Sequence, residues 1–248
     1  MAVNPGPRRK NGKLTLAIDV GGTRLKAGLL DRNGDMVAGP NRIDTPPKPD
    51  PQTVVDALAA LAAPLGVFDR ISVGFPGVVR QGQVLTAPNL GTSDWRHFPL
   101  ASALAEKLGK PVRLLNDAEV QGLGVIARQG LECVITLGTG MGFALFQDGR
   151  PAPHLELSHH PIHKGKTYDQ FIGADAFHAV GHNRWNRRLR RVLTAIEILA
   201  GFDKLYIGGG NAKHIAVDLA DNIQVVSNVA GITGGVRLWD KSLDGMFA

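Results

Sequence analysis

The sequence predicts an α/β protein of two related lobes, each built on a mixed sheet. A unit of strand, glycine turn and strand occurs twice, at 14–38 (LTLAIDVGGTRLKAGLLDRNGDMVA) and at 131–152 (LECVITLGTGMGFALFQDGRPA). Short apolar runs alternate with stretches of helical apolar spacing between and after the two copies. The length, 248 residues, suits one large domain or two small lobes.

In the first copy an apolar strand meets Gly21-Gly22-Thr23, a second alternating strand follows, and Asn33-Gly34 signals a hairpin. Pro51 to Pro64 has helical spacing after a proline-rich approach, and Ile71 to Phe75 reads as a short buried strand. Leu100 to Leu108 is an amphipathic helix stopped by Gly109, and Val112 to Leu115 a strand. Ala118 to Arg128 reads as a helix closed by Gly130. The second copy turns at Gly138-Thr139-Gly140 and signals its hairpin at Asp148-Gly149. His154 to Gly181 shows no clear period and reads as a long functional loop with a short helix. Asn186 to Leu199 is a helix, and Lys204 to Ile207 a strand running into Gly208-Gly209-Gly210-Asn211. The expected organisation is a basic flexible tail at 1–13, an N-terminal lobe at 14–117 and a C-terminal lobe at 118–248.

Composition excludes several classes. The chain is 44% hydrophobic and 20% charged, and no apolar run nears the roughly 20 residues of a membrane-spanning helix. The start is polar and basic, unlike a secretory signal, so a cytoplasmic protein is expected. One cysteine, Cys133, excludes a disulfide scaffold. The net charge of +6 suits a polyanionic partner without naming one.

The 31 glycines stand singly or in short clusters after apolar runs, as functional turns do. Asp19-Val-Gly-Gly-Thr23 leads from strand to strand, which excludes the dinucleotide fingerprint and the P-loop, since both open a helix. Two such loops, each offering free backbone N–H groups, suggest a phosphate chain as ligand. Asn116-Asp117 sits where a strand ends and a helix begins. Asp117 there serves either as a helix cap or as a base at the carboxyl end of a strand, where open α/β sheets bind ligands. Asn89, Glu156 and His159 provide the amide, carboxylate and imidazole that a hydroxyl-rich ligand needs, though Asn89 also suits its own turn and Glu156 an arginine partner. The histidines at 154, 159, 160 and 163 lack the ligand set of a zinc site. Arg184-Trp-Asn-Arg-Arg-Leu-Arg-Arg191 is either a solvated helix face or a rail for a long anion. A nucleic-acid module is disfavoured by the absence of zinc-finger spacing, RNP aromatics or a spare helix-turn-helix.

Taken in order, Asp19-Val-Gly-Gly-Thr23, Gly74-Phe-Pro-Gly77, Asn89, Leu115-Asn-Asp-Ala118, Gly138-Thr-Gly-Met-Gly142, Glu156-Leu-Ser-His159 and Gly208-Gly-Gly210 resemble the ROK family of sugar kinases. The resemblance covers residues from about 14 to about 240 and is nearest to the polyphosphate glucokinase and glucomannokinase branch, with Lys26 after the first loop. It implies the actin-like ATPase (ribonuclease H-like) fold, two lobes with mixed sheets flanking a cleft. Asp117 would be the catalytic base that takes the proton of the sugar 6-hydroxyl. Asn89, Asn116, Glu156 and His159 would hold the other hydroxyls of glucose or mannose. Gly21, Gly22, Thr23, Lys26, Gly138, Thr139 and Gly140 would cradle the phosphates of polyphosphate or ATP. Asp19 would help position Mg²⁺, and Gly208, Gly209 and Gly210 would border a nucleotide site. A homodimer is implied. The alternatives are an ATP-only glucokinase, an N-acylhexosamine kinase, and a catalytically silent sugar-binding regulator. Ser158 stands where the family carries glycine, Asn211 where a small or aliphatic residue is usual, and His160 and residues 163–166 also depart from the pattern.

Overall fold

The structure is a computed structural model that describes residues 12–226 and 230–247. Residues 1–11 of the expected basic tail lie outside the described residues. The chain forms two compact units. The first runs to Gly124 and is taken up again from Gly231; the second is Val125–Ala230.

In the first unit β1 (Thr15–Val20), β2 (Arg24–Leu30) and β3 (Met36–Asp44) form an antiparallel meander. After α1 (Pro51–Ala62), β4 (Arg70–Phe75) adds parallel to β1. The ribbon β5 (Val79–Arg80) and β6 (Gln83–Val84), a single turn α2 (Thr92–Trp95) and α3 (Leu100–Leu108) then lead to β7 (Val112–Asn116), parallel to β4. The sheet order is β3-β2-β1-β4-β7, followed by α4 (Asp117–Leu123). Helix α1 starts where Asp50 accepts from the Thr53 N–H at 3.0 Å and Pro51 occupies the first turn. It turns Val54, Val55, Leu58 and Leu61 into a core with Leu16, Ile18, Phe75, Trp95 and Leu104. Trp95 is wholly buried and donates its indole N–H to Pro49 O at 2.8 Å.

The second unit repeats this plan. The strands β8 (Leu131–Leu137), β9 (Met141–Gln147) and β10 (Arg150–Pro151) are antiparallel. A ribbon of β11 (Pro161–His163) and β12 (Lys166–Thr167), then α5 (Tyr168–Ile172) and α6 (Ala174–Ala200), precede β13 (Lys204–Gly208) and β14 (Ile223–Val225). The order β10-β9-β8-β13-β14 matches the first sheet strand for strand, as the sequence repeat predicts.

Two expectations are corrected. The helix expected at 118–128 ends at Leu123, because the N–H groups of Ala127, Arg128 and Gln129 turn onto the buried carboxylate of Glu132 at 2.7, 2.7 and 3.1 Å. The segment 154–181 is not one loop: it holds β11, β12, α5 and the start of α6. Gly181, at φ 72, breaks α6 and resets its helical phase, which hides the period. By contact, α4 and the chain from Gly231 group with the first unit. Following α7 (Ala230–Thr233), a tight turn at Gly234–Trp239 crosses the sheet, where Gly235 O accepts from Ser72 Oγ at 2.6 Å. Arg113 holds the end of the chain: it donates to Leu238 O and Asp244 Oδ1, each at 2.7 Å, with its guanidinium between the rings of Trp239 and Phe247. Hydrogen bonds to charged groups are each worth about 1.5–3 kcal/mol, so Arg113→Ala is expected to lower the melting temperature by several degrees in a thermal melt; an unchanged melt would show that these contacts add nothing.

Candidate functional site

Two clusters carry the predicted residues, one in each unit. In the first unit, β1 delivers Asp19 to its carboxyl end, and the chain turns at once through Gly21-Gly22-Thr23. Gly21 N–H bonds Arg24 O at 3.0 Å, closing the turn. The Thr45 hydroxyl, donating to Gly21 O at 2.6 Å, and the Thr45 N–H, to Thr23 O at 3.0 Å, pin it from β3's end. Lys26, back along β2, places Nζ 2.7 Å from Asp19 Oδ2, with both side chains partly exposed. Gly22 is needed for close approach: a β-carbon there would lie 2.9 Å from Asn89 Cβ. Asn89 is exposed and thus stands against the first loop.

Asp117 lies two strands away from Asp19, at the carboxyl end of β7, with β4 between. Gly74 of β4 pairs with Asp19 on one side and Leu115 on the other. A β-carbon on Gly74 would come 3.3 Å from Asp117 Cα, so the glycine lets α4 start close to the sheet. The sequence left capping open for Asp117, and the structure gives that part to Asn116. Asn116 Oδ1 accepts from Ala118 N at 2.9 Å, and Glu119 reaches back to Asn116 N at 3.1 Å, forming a capping box. Asn116 is buried and its amide also donates to Gly77 O at 3.1 Å. Both ends of the amide are thus engaged with the scaffold. Asp117 is half-buried, with Oδ1 accepting from Ala118 N at 2.9 Å.

In the second unit, β8 and β9 are joined by Gly138-Thr139-Gly140, closed by Gly138 N–H to Gly140 O at 2.9 Å. The loop is held by a residue the sequence did not single out. Asp169, at the start of α5, accepts from Met141 N at 2.6 Å, and its own N–H bonds Ser158 O at 3.1 Å. Burial pushes the Asp169 carboxyl above the usual range, against the Met141 hydrogen bond and the charge of His159. Thr167 and Gln170 have capping-box spacing, so the start of α5 could be found; nothing local marks Asp169's reach to Met141.

Glu156 accepts from Ser158 Oγ, and His154 Nε2 lies 3.6 Å from its other oxygen. Burial would raise its pKa, but the neighbouring His154, the bond from Ser158 and the charges of His154 and His159 outweigh this and hold the carboxyl below its ordinary range. The departure at Ser158 thus supplies a donor to Glu156. His159 is exposed. Gly208 ends β13 and Gly209-Gly210 follow it, and Asn211, the other departure, ties the segment to the second loop: Nδ2 donates to Gly138 O and its N–H to Leu137 O, both at 2.9 Å. Among the described residues, no group of three His, Cys, Asp or Glu is placed to hold a metal ion by itself.

Residues 15–154 match the ROK family model. The polyphosphate glucokinase of Mycobacterium tuberculosis is 31% identical over 235 residues, covering 88% of each chain. The inorganic polyphosphate/ATP-glucomannokinase of Arthrobacter sp. strain KM superposes with a TM-score of 0.81 at 30% identity, over 90% of this chain and 97% of that one. A ROK family glucokinase of Streptomyces griseus, at 21% identity and a TM-score of 0.76 over 91% and 98%, shares the fold.

Proposed function

Because the chain belongs to the ROK family of actin-like fold kinases, we propose that it is a Mg²⁺-dependent sugar kinase that moves a terminal phosphoryl group from polyphosphate or ATP to the 6-hydroxyl of glucose or mannose. The observation that carries this reading is Asp117, at a strand's carboxyl end in the unit that holds the hairpin loop with Asp19 and Lys26. Asp117 accepts the proton of the 6-hydroxyl as that oxygen attacks phosphorus. Little covalent chemistry is left to the protein beyond placing reactants and neutralising charge. The loops at Gly21–Thr23 and Gly138–Gly140 present backbone N–H groups to the donor phosphates.

Phosphate-bound Mg²⁺ needs only one or two protein carboxylates. Asp19 fits that requirement: its carboxylate is about a quarter exposed, with side-chain exposure 24%, beside a phosphate-type loop. Mg²⁺ there would neutralise charge on the transferring phosphates, and Lys26 adds a second cation. Asn89, Glu156 and His159 are the hydroxyl ligands. Glucose phosphorylation measured in parallel with ATP and with polyphosphate tests the reading: turnover with either supports it. Bound glucose without turnover on any hexose would instead favour a sugar-binding regulator. In the same reading the protein is a cytoplasmic homodimer, to be checked by light scattering; no described helix is long and apolar enough to cross a membrane.

The lowered Glu156 pKa gives a signed prediction. An ionised Glu156 accepts hydrogen bonds from sugar hydroxyls, so its share of sugar affinity is present above its pKa and lost as pH falls through it. Ser158→Ala removes a donor to the ionised form and raises that pKa. The acid limb of a glucose-binding titration should therefore move to higher pH, whereas an unmoved limb would separate Ser158 from the sugar site.

A further inference from the structure

The arginine-rich stretch acquires a shape in the second unit. Arg184, Arg187, Arg188 and Arg191 recur at i, i+3, i+4 and i+7, so α6 presents them along one face. The rise of a helix spreads them over about 10 Å. With His163 and Lys164 from the β11–β12 ribbon and Phe171 from α5, they line a pocket of about 430 Å³. No acidic residue lines it, and among the described residues none of the four arginines forms an ion pair with a carboxylate. His163 Nδ1 accepts from Arg191 Nη1 at 2.8 Å. Desolvation and then the charges of Arg191, Lys164 and Arg188 hold His163 below its usual pKa, as a concentration of unneutralised cations requires.

This pocket shares one lining residue, Arg188, with another. A neighbouring cavity of about 540 Å³ is lined by Thr139 of the second loop, Lys166, Asp169 and Gln170 among others, and also by Arg188. Arg188 therefore stands between the two, fixed by a bond to Phe171 O at 3.0 Å and by the Phe171 ring 4.8 Å beneath its guanidinium. An anion reaching from Thr139 to the arginines would have Lys166 and Arg188 beside it, with Asp169 and Asp175 in the wall of the Thr139 cavity. The arginine pocket itself, with no carboxylate in its wall, suits several phosphates in a row. Nucleic acid is a poorer match, since single strands need open aromatic faces for stacking, and Phe171 is already covered by Arg188 and His163.

We propose that the Arg184–Arg191 pocket is a distal anion subsite that binds the trailing phosphates of a linear inorganic polyphosphate whose end is presented at the Thr139 loop. The proposal rests on the kinase reading above for its donor but makes a separate claim about chain length. A donor long enough to reach both cavities gains contacts that ATP and tripolyphosphate cannot make.

The test compares the full-length protein with an Arg184→Glu/Arg187→Glu variant, using Lys48→Glu as an exposed charge control in the other unit. Arg188 is left alone because it packs on Phe171. The expected result is a KM for long-chain polyphosphate raised about tenfold more than those for tripolyphosphate and ATP, with a shallower dependence on salt. Fluorescein-labelled long-chain polyphosphate, titrated without sugar, should bind the variant about tenfold more weakly. Equal effects on all donors, or none on the long chain, would overturn the subsite. If the wild type uses ATP alone, the donor reading fails, yet labelled polyphosphate that binds the wild type and not the variant still supports the pocket. No binding to the wild type overturns it, as does single-stranded RNA of matched charge binding equally well with the same loss. Should the glutamate variant melt early, Arg184→Gln/Arg187→Gln decides by the same readouts.

Discussion

Asp117→Asn is expected to lower kcat by about 10²–10⁴ while glucose affinity and the melting temperature stay near wild type. The asparagine keeps the shape of the side chain and an oxygen for the Ala118 N–H, which now lies 2.9 Å from Asp117 Oδ1. The cap of α4 is untouched, since Asn116 and Glu119 supply it. What is lost is a group able to take the proton of an attacking hydroxyl. The two readings of Asp117 differ in magnitude enough to be told apart. A carboxylate in the first turn of a helix is worth about 0.3–1 kcal/mol to stability. A general base of the stated effect is worth about 3–5 kcal/mol in the transition state and nothing in the melt. Steady-state kinetics with both donors, beside a thermal melt, measure the two together. A small drop in kcat with a raised KM would demote Asp117 to a sugar ligand, and a drop in melting temperature alone would make it a structural acid.

The parts of this protein that were legible in sequence are those whose causes are local. Each repeat is a hairpin whose strands are neighbours along the chain, as in Thr15 with Leu30 and Leu131 with Gln147, so strand pattern and glycine turn together announce it. Asp117 could be placed at a strand end for the same reason. What stayed hidden is long-range. Glu132 stops a helix by gathering N–H groups that α-helical periodicity would have assigned elsewhere. The chain from Gly231 joins the first unit through Ser72 with Gly235 and Arg113 with Asp244, pairs separated by 163 and 131 residues. Asn116 offers an amide at a strand end, and its two scaffold bonds emerge only from the fold. Ser158 and Asn211 stood out as departures, but the partners that give them a part, Glu156 and Gly138, emerge from the fold.

Gly209→Ala tests how tightly the triple-glycine segment and the second loop are built as one piece. Gly209 sits at φ 92, and a β-carbon on it would fall 2.3 Å from Leu137 O and 2.4 Å from Leu137 N. Leu137 is the last residue of β8, so the collision is with rigid backbone at the entrance to Gly138-Thr139-Gly140. A side chain at positive φ costs about 1–2 kcal/mol, and forcing a packed contact about 1–3 kcal/mol more. The sum, about 3 kcal/mol, corresponds to a melting temperature lower by roughly 6–12 °C for a chain of this size. Gly201→Ala separates the two costs, because Gly201 has φ 58 with nothing within 4 Å of its added β-carbon. It should lose only roughly 2–8 °C. Relief of the collision requires Leu137 to move, which strains the bonds from Asn211 to Leu137 O and Gly138 O. Donor KM should therefore rise in Gly209→Ala and not in Gly201→Ala, with glucose binding equal in both. If the two variants melt and turn over alike, only backbone conformation matters at Gly209, and the loop is not coupled to it.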